Sequence, residues 1–135
     1  MNQPFVQQVR TRAKNRCEYC GIPFPGYRLP FQIDHIIARQ HGGSSEADNL
    51  ALCCLHCNRH KGPNIAGRDT GTDDIVRLYH PRRDLWSEHF QLDGAVLVGL
   101  TAIGRVTVRV LAMNEPEFLA ARQALIQEGA WRPLE

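Results

Sequence analysis

Four cysteines of this 135-residue chain form two C-x-x-C pairs with the spacing of a metal site. Cys17 and Cys20 make the first pair, and Cys54 and Cys57 make the second. Two thiolates at this spacing can bind one ion, and four together satisfy the tetrahedral preference of Zn²⁺ with no open position. We therefore predict a structural zinc site of four cysteines. Two unrelated thiol pairs, or a redox C-x-x-C, are the alternatives.

A second group of residues has the types that phosphodiester hydrolysis requires, namely ligands for a divalent cation and a base of near-neutral pKa. Asp34 offers a hard oxygen ligand that suits Mg²⁺, and the adjacent His35 has the pKa range of a base. Because neighbouring strand residues point to opposite faces, Asp34 can hold a cation while His35 activates water. Asn58 can add a second oxygen ligand, and Asn49 can hydrogen-bond the backbone and fix the direction of His35.

Taken together, these residues resemble the motif of the HNH endonuclease family in its four-cysteine branch. The matching pieces are Cys17-x-x-Cys20, Asp34-His35-Ile36, Gly42-Gly43, Asn49-Leu50 and Cys54-x-x-Cys57-Asn58-x-x-Lys61-Gly62. The resemblance covers residues 17–62 and implies a ββα-metal core, also called a His-Me finger. It also implies DNA cleavage with one catalytic Mg²⁺ or Mn²⁺ ion, leaving 5′-phosphate and 3′-hydroxyl ends.

The resemblance assigns a role to each residue of the site. It implies that His35 is the general base, that Asn49 positions the loop, and that Asp34 and Asn58 bind the catalytic cation. The third residue of the motif is Asn58 rather than histidine, a variation that the family shows and that weakens the metal shell.

The elements that must position these residues follow from periodicity and turn signals. We predict a helix over residues 4–16, a loop over 21–30, a strand over 29–33, a return strand over 50–52 and a helix over 54–61. Asp34 and His35 are then expected where the first strand ends.

The remaining residues predict further strands and helices. We expect a strand over 75–79, a hairpin of strands 90–92 and 95–100, and a last helix over 116–128. Residues 102–113 fit a helix capped by Thr101, although a β-branched run within them also fits a strand. The predicted class is α+β, with an HNH core over 1–66 and a small C-terminal α/β extension over 67–135; one continuous domain is the alternative.

Basic residues near the predicted site suggest where DNA phosphates would lie. The first 16 residues carry four basic side chains and no acid. We predict phosphate contacts for Arg12 and Arg16 on this arm and for Lys61 on the site helix, with solvated charges as the alternative. His56 and His60 are expected at the surface or on phosphate.

Composition excludes several classes of protein. Charged residues make up 22% and hydrophobic residues 43% of the chain, the balance of a globular rather than a disordered protein. No apolar run approaches the roughly 20 residues that span a bilayer, and no secretory signal precedes the cysteines. We therefore expect a cytoplasmic protein with reduced thiols, no membrane contact and no small-molecule substrate. The fifth cysteine, Cys53, is expected to be a buried apolar residue.

Two functions from different classes follow. The first is a metal-dependent DNA endonuclease with a structural zinc, and the alternative is a non-catalytic, zinc-stabilised DNA-binding module. The joint presence of Asp34, His35 and Asn58 favours the enzyme, because a binding module has no chemical need for all three. A thiol redox protein is disfavoured, since the chain has no thioredoxin-like βαβ pattern.

Overall fold

The computed structural model describes residues 3–24 and 30–135, with side chains from Phe5 onward. The described chain is α+β, with helices and small antiparallel two-stranded sheets. The helices are α1 (Gln3–Arg12), α2 (Leu55–Lys61), α3 (Trp86–His89), α4 (Ala102–Val110) and α5 (Pro116–Gln127). The strands are β1 (Gln32–His35), β2 (Leu50–Cys53), β3 (Ala66–Arg68), β4 (Ile75–Arg77), β5 (Phe90–Asp93) and β6 (Val96–Gly99).

The first sheet carries the adjacent acid and histidine of the predicted site. β1 pairs antiparallel with β2, so that Asp34 lies opposite Ala51 and His35 lies opposite Leu50. All four residues of β2 are buried, because both faces of this strand are covered by other parts of the chain. Within β1, Asp34 is buried and His35 is partly exposed, as expected for neighbours on opposite faces of a strand.

Helix α2 follows β2 directly, and a residue at each end explains its limits. Cys54 is the N-cap, and its sulfur accepts a hydrogen bond from the backbone N–H of Cys57 at 3.4 Å. Gly62 ends the helix with a φ of 51°, a conformation that favours glycine. The predicted order of strand, loop, strand and helix is therefore confirmed.

Two predicted boundaries near the site differ from the structure. Helix α1 ends at Arg12 rather than at residue 16, because Lys14 and Asn15 have φ values of 56° and 55°, which no helix continues. The predicted first strand began at Leu29, which lies outside the described residues, as do 25–29 of the predicted loop. The observed strand runs to His35, so the acid and the histidine lie inside it rather than after it.

In the C-terminal half, local signals predicted most elements correctly. The hairpin of β5 and β6 is present, and Pro116 begins α5. Residues 102–110 are helical, and the Thr101 hydroxyl accepts a hydrogen bond from the Gly104 N–H at 3.1 Å, as a cap should. β4 is shorter than the predicted 75–79, and neither β3 nor α3 was predicted.

Buried aromatic contacts join the two halves of the described chain. The Trp86 indole N–H donates to the carbonyl of Tyr19 at 2.8 Å, and its ring packs 5.0 Å from that of Phe90. Tyr19 lies between the two cysteines of the first C-x-x-C pair, so this hydrogen bond ties α3 to that turn. The division into a core over 1–66 and an extension stays a prediction.

Across the described ranges, no helix combines the length and the apolar character needed to cross a membrane.

Candidate nuclease site

The four paired cysteines meet at one buried point. The sulfurs of Cys17, Cys20, Cys54 and Cys57 all lie within 4.8 Å of one another, and none of the four residues is exposed. The Cys20 and Cys54 sulfurs are 3.9 Å apart. A tetrahedral zinc with Zn–S bonds of about 2.3 Å places its sulfurs about 3.8 Å apart. The cluster is therefore compatible with a structural zinc, both in donor type and in size.

The fifth cysteine is separate from this cluster in the way that the sequence predicted. Cys53 is fully buried at the end of β2 and is not one of the four grouped ligands. Burial raises the pKa of its thiol well above the ordinary value, as expected for a cysteine that serves as a small apolar side chain.

Asp34 is the buried acid of the site. It is 5% exposed, and its carboxylate accepts a hydrogen bond from the Tyr19 hydroxyl at 2.7 Å. The Lys61 ammonium lies 3.2 Å and 3.3 Å from the two carboxylate oxygens. Burial raises the pKa of Asp34, while the charge of Lys61 and the hydrogen bond from Tyr19 oppose the rise. Asp34 is thus half of an interior ion pair.

Lys61 is consequently not at the surface where a DNA contact was predicted. Its residue is 1% exposed, and its ammonium also donates to the carbonyl of His35 at 3.2 Å. An ammonium in this position has an interior role, which is to offset the charge of Asp34 and to tie the end of α2 to β1. The sequence identified Lys61 as a site residue but assigned it the wrong environment.

His35 lies on the accessible side of β1. Its Nε2 atom is 3.0 Å from the Ser45 hydroxyl, and the Nε atom of Arg39 approaches the same nitrogen at 3.4 Å. Burial, and then the positive charge of Arg39, lower the pKa of His35 below its ordinary value. This shift favours the neutral imidazole. Ser45 and Arg39 were not predicted, and only their place in the polar loop after His35 could have suggested them.

Asn49 holds the loop between the two strands. Its amide oxygen accepts from the Ile37 N–H at 2.9 Å, and its amide nitrogen donates to the carbonyls of Ile37 and Ser44 at 2.9 Å and 2.7 Å. Gly43 completes the loop, because a Cβ atom there would lie 1.7 Å from the Ile37 oxygen. These bonds tie Asn49, which follows Ser45 in the chain, to residues that precede Ser45, the hydroxyl partner of His35.

Asn58 lies on α2, the helix whose Lys61 reaches the buried acid. It precedes Lys61 by three positions and so shares its helical face. Its residue is half-buried, and no hydrogen bond engages its side-chain amide within the described part of the chain. The structure thus leaves the amide oxygen free to act as a ligand.

The two arginines predicted to contact DNA both make structural contacts. Arg12 donates to the carbonyls of Ala47 and Leu50 at 2.9 Å and 2.6 Å, and so ties α1 to the loop before β2. Arg16 donates to the Gly21 carbonyl at 2.9 Å and to the carbonyl of Arg132. These contacts use the guanidinium groups within the fold, and their contact with DNA stays a prediction.

The expectation that His56 lies at the surface is wrong. His56 is buried, and its ring stacks on that of Phe118 at a centroid distance of 3.9 Å and an angle of 12°. The neighbouring His60 is half-exposed, and its ring centroid lies 4.3 Å from that of His56. His56 therefore packs against Phe118 of α5, in the C-terminal half, and does not face solvent.

Part of this chain is similar to a known protein family. The family model described as HNH endonuclease matches residues 17–64, about a third of the chain. No curated protein and no solved structure matches the chain. The matched segment begins at Cys17, ends three residues after Lys61, and contains both cysteine pairs. The resemblance to the HNH endonuclease family is thereby confirmed for residues 17–64 of this protein.

Proposed function

We propose that this protein is a metal-dependent HNH endonuclease that hydrolyses phosphodiester bonds of DNA. The observation that carries the proposal is the pairing of a partly exposed His35 with a buried carboxylate, Asp34, on opposite faces of one strand. This pairing lies within the segment that matches the HNH endonuclease family model. Nuclease activity and DNA as the substrate are what that family match suggests.

His35 is the proposed general base. A base must be unprotonated at the working pH, and the lowered pKa of His35 favours this form. The Ser45 hydroxyl, 3.0 Å from Nε2, can hold the ring in one orientation until water or substrate takes its place. Asn49 supports the arrangement as a positioning residue, because it fixes the backbone on both sides of the Ser45 loop.

Asp34 and Asn58 are the proposed ligands of the catalytic Mg²⁺ or Mn²⁺. Both offer the oxygen atoms that hard cations prefer, and Asn58 shares a helical face with the lysine that reaches Asp34. A carboxylate has about four acceptor positions, so its contacts with Tyr19 and Lys61 leave capacity for a cation. When bound, the cation would offset negative charge on the scissile phosphate and on the departing oxygen.

The four clustered cysteines are proposed to hold a structural zinc that fixes the first C-x-x-C turn against the start of α2. Such a site closes without an open position, so the zinc would take no part in hydrolysis. A reduced four-cysteine cluster also favours a reducing compartment, so the cytoplasm stays the expected location.

One observation favours the alternative, a zinc-stabilised DNA-binding module without catalysis. The Lys61 ammonium occupies both oxygens of Asp34 and already neutralises its charge. A protein that no longer bound a cation could keep its buried acid satisfied in this way.

Cleavage of supercoiled plasmid distinguishes the two functions. The purified protein, the His35→Ala variant and a His41→Ala control would be incubated with Mg²⁺ or Mn²⁺, and in parallel with EDTA. His41 is an exposed histidine six residues from His35, so its loss should leave activity intact. Nicking that needs both the cation and His35 would support the enzyme. Retardation of DNA without cleavage under either cation would support the binding module instead.

A further inference from the structure

We propose that His56, His60 and Glu115 form a second metal site, which binds a divalent transition ion such as Zn²⁺ on the side of α2 away from Asn58. The Nδ1 atom of His56 and the Nε2 atom of His60 each lie 3.7 Å from the same carboxylate oxygen of Glu115. All three candidate ligand atoms lie within 4.8 Å of one another. The proposal concerns metal binding alone and does not depend on nuclease activity.

The hydrogen bonds of the two rings aim their free nitrogens at this point. The Nε2 atom of His56 lies 2.8 Å from the carbonyl of Ala112, and Nδ1 of His60 lies 2.9 Å from the carbonyl of His56. A carbonyl only accepts, so each of these ring nitrogens carries the hydrogen, and in the neutral ring the other nitrogen has a lone pair. A ring held through one nitrogen by a carbonyl is the usual arrangement of a metal-binding histidine.

Among the described residues, no hydrogen-bond donor lies between the two histidine nitrogens and the Glu115 oxygen. Two imidazole lone pairs and one carboxylate oxygen are all acceptors, and 3.7 Å is too long for a hydrogen bond. A cation at the centre would satisfy all three. Zinc bonds of about 2.0–2.2 Å to nitrogen and oxygen place tetrahedral ligands about 3.4 Å apart, so only small movements are needed to close the site.

Packing also prepares the ligands for an ion. The ring of His56 is fixed by its stack on Phe118, and the two histidines are four residues apart on one helix. Glu115 occupies the N-cap position of α5, yet its side chain makes no capping hydrogen bond. Glu115 is 47% and His60 34% exposed by side chain, so water could complete the coordination.

The site is distinct from the proposed catalytic site. Each histidine is two residues from Asn58, or about 200° around the helix, so the two groups face opposite ways. An ion here would join the end of the family-matched segment to the start of α5. Its expected effect is on the attachment of the C-terminal helix to α2 rather than on chemistry.

Metal stoichiometry tests the proposal. Tag-free protein, kept reduced without thiol reagents, would be dialysed against Zn²⁺ and analysed for bound metal. With excess Mg²⁺ present to occupy the proposed Asp34 and Asn58 site, we expect two zinc ions per chain for the wild type and for His41→Ala, but one for His60→Ala and one for Glu115→Gln. Loss of a direct ligand should lower the affinity for the second ion by about 100-fold or more, because loss of a residue that only hydrogen-bonds a ligand already costs up to that factor. One ion in the wild type, or two in both variants, would overturn the proposal.

Cobalt titration supplies an independent readout. Co²⁺ in the four-cysteine site gives an intense thiolate charge-transfer absorption, whereas nitrogen and oxygen ligands give weak bands only. We expect the first equivalent to produce the intense band in every variant, which also shows that each variant is folded. The second equivalent should add weak bands that are missing from His60→Ala. Growth of the thiolate band with the second equivalent would refute the assignment.

Discussion

The buried ion pair between Lys61 and Asp34 gives the sharpest prediction about stability. Lys61→Met keeps most of the volume of the side chain and removes its charge. The variant then leaves the Asp34 carboxylate in an interior site that is 5% exposed, with Tyr19 as its only strong donor among the described residues. Removal of one partner of a buried pair typically costs about 3–5 kcal/mol, because the remaining charge stays desolvated.

We therefore expect Lys61→Met to lower the free energy of unfolding by about 3–5 kcal/mol at neutral pH. The measurement is denaturant unfolding at fixed zinc concentration. Arg59→Met is the matched control, since Arg59 is an exposed basic residue of the same helix, and a change within about 0.5 kcal/mol is expected there. The double variant with Asp34→Asn should recover part of the loss, because no charge is then buried.

Two results would contradict a buried charge pair between Lys61 and Asp34. If Lys61→Met unfolds within about 0.5 kcal/mol of the wild type, the pair is not a buried charge pair in solution. If Asp34→Asn gives no recovery in the Lys61→Met background, the cost comes from packing and not from the carboxylate.

Three further predictions concern catalysis and the zinc. His35→Ala should reduce the nicking rate by about 10²–10⁴-fold with zinc still bound, as general-base catalysis contributes about that factor; a rate near the wild type would remove His35 from the mechanism. The nicking rate should rise with pH, and the midpoint of this rise should lie below the ordinary pKa of histidine, because burial and the charge of Arg39 lower the pKa of His35. Arg39→Gln should move that midpoint to higher pH, and an unchanged midpoint would contradict the assignment of His35 as the base. Cys54→Ser should lose zinc and unfold, as measured by circular dichroism, because zinc sites of this kind contribute about 10–16 kcal/mol of apparent binding energy. The control Cys53→Ala should keep its zinc. A folded, zinc-free Cys54→Ser would count against a structural metal.

Local signals in the sequence were sufficient to predict most elements of the C-terminal half. Thr101 caps its helix, and the two residues Gly94 and Ala95 join β5 to β6, because caps and tight turns depend on a few neighbouring residues. The two cysteine pairs were predicted to meet, and they do, because zinc ligand spacing has a direct geometric meaning. The family match over 17–64 rests on the same spaced residues.

The environments of the charged residues could not be predicted in the same way. Lys61 reaches an acid 27 residues earlier in the chain, and Arg12 reaches carbonyls 35 and 38 residues later. Nothing in the neighbouring sequence distinguishes such a residue from a solvated one, because the partner is brought in by tertiary packing. His56 shows the same limit, since its burial depends on Phe118 of α5.

The position of a bound Mn²⁺ ion distinguishes the nuclease from the DNA-binding module. A crystal soaked in Mn²⁺ would be measured by anomalous diffraction, which locates the ion without reference to activity. We expect an anomalous peak within coordination distance of an Asp34 carboxylate oxygen and the Asn58 amide oxygen, on the same side of α2 as Lys61. A crystal in which Asp34 stays bound to Lys61, with no ion beside Asn58 at saturating Mn²⁺, would contradict the nuclease assignment.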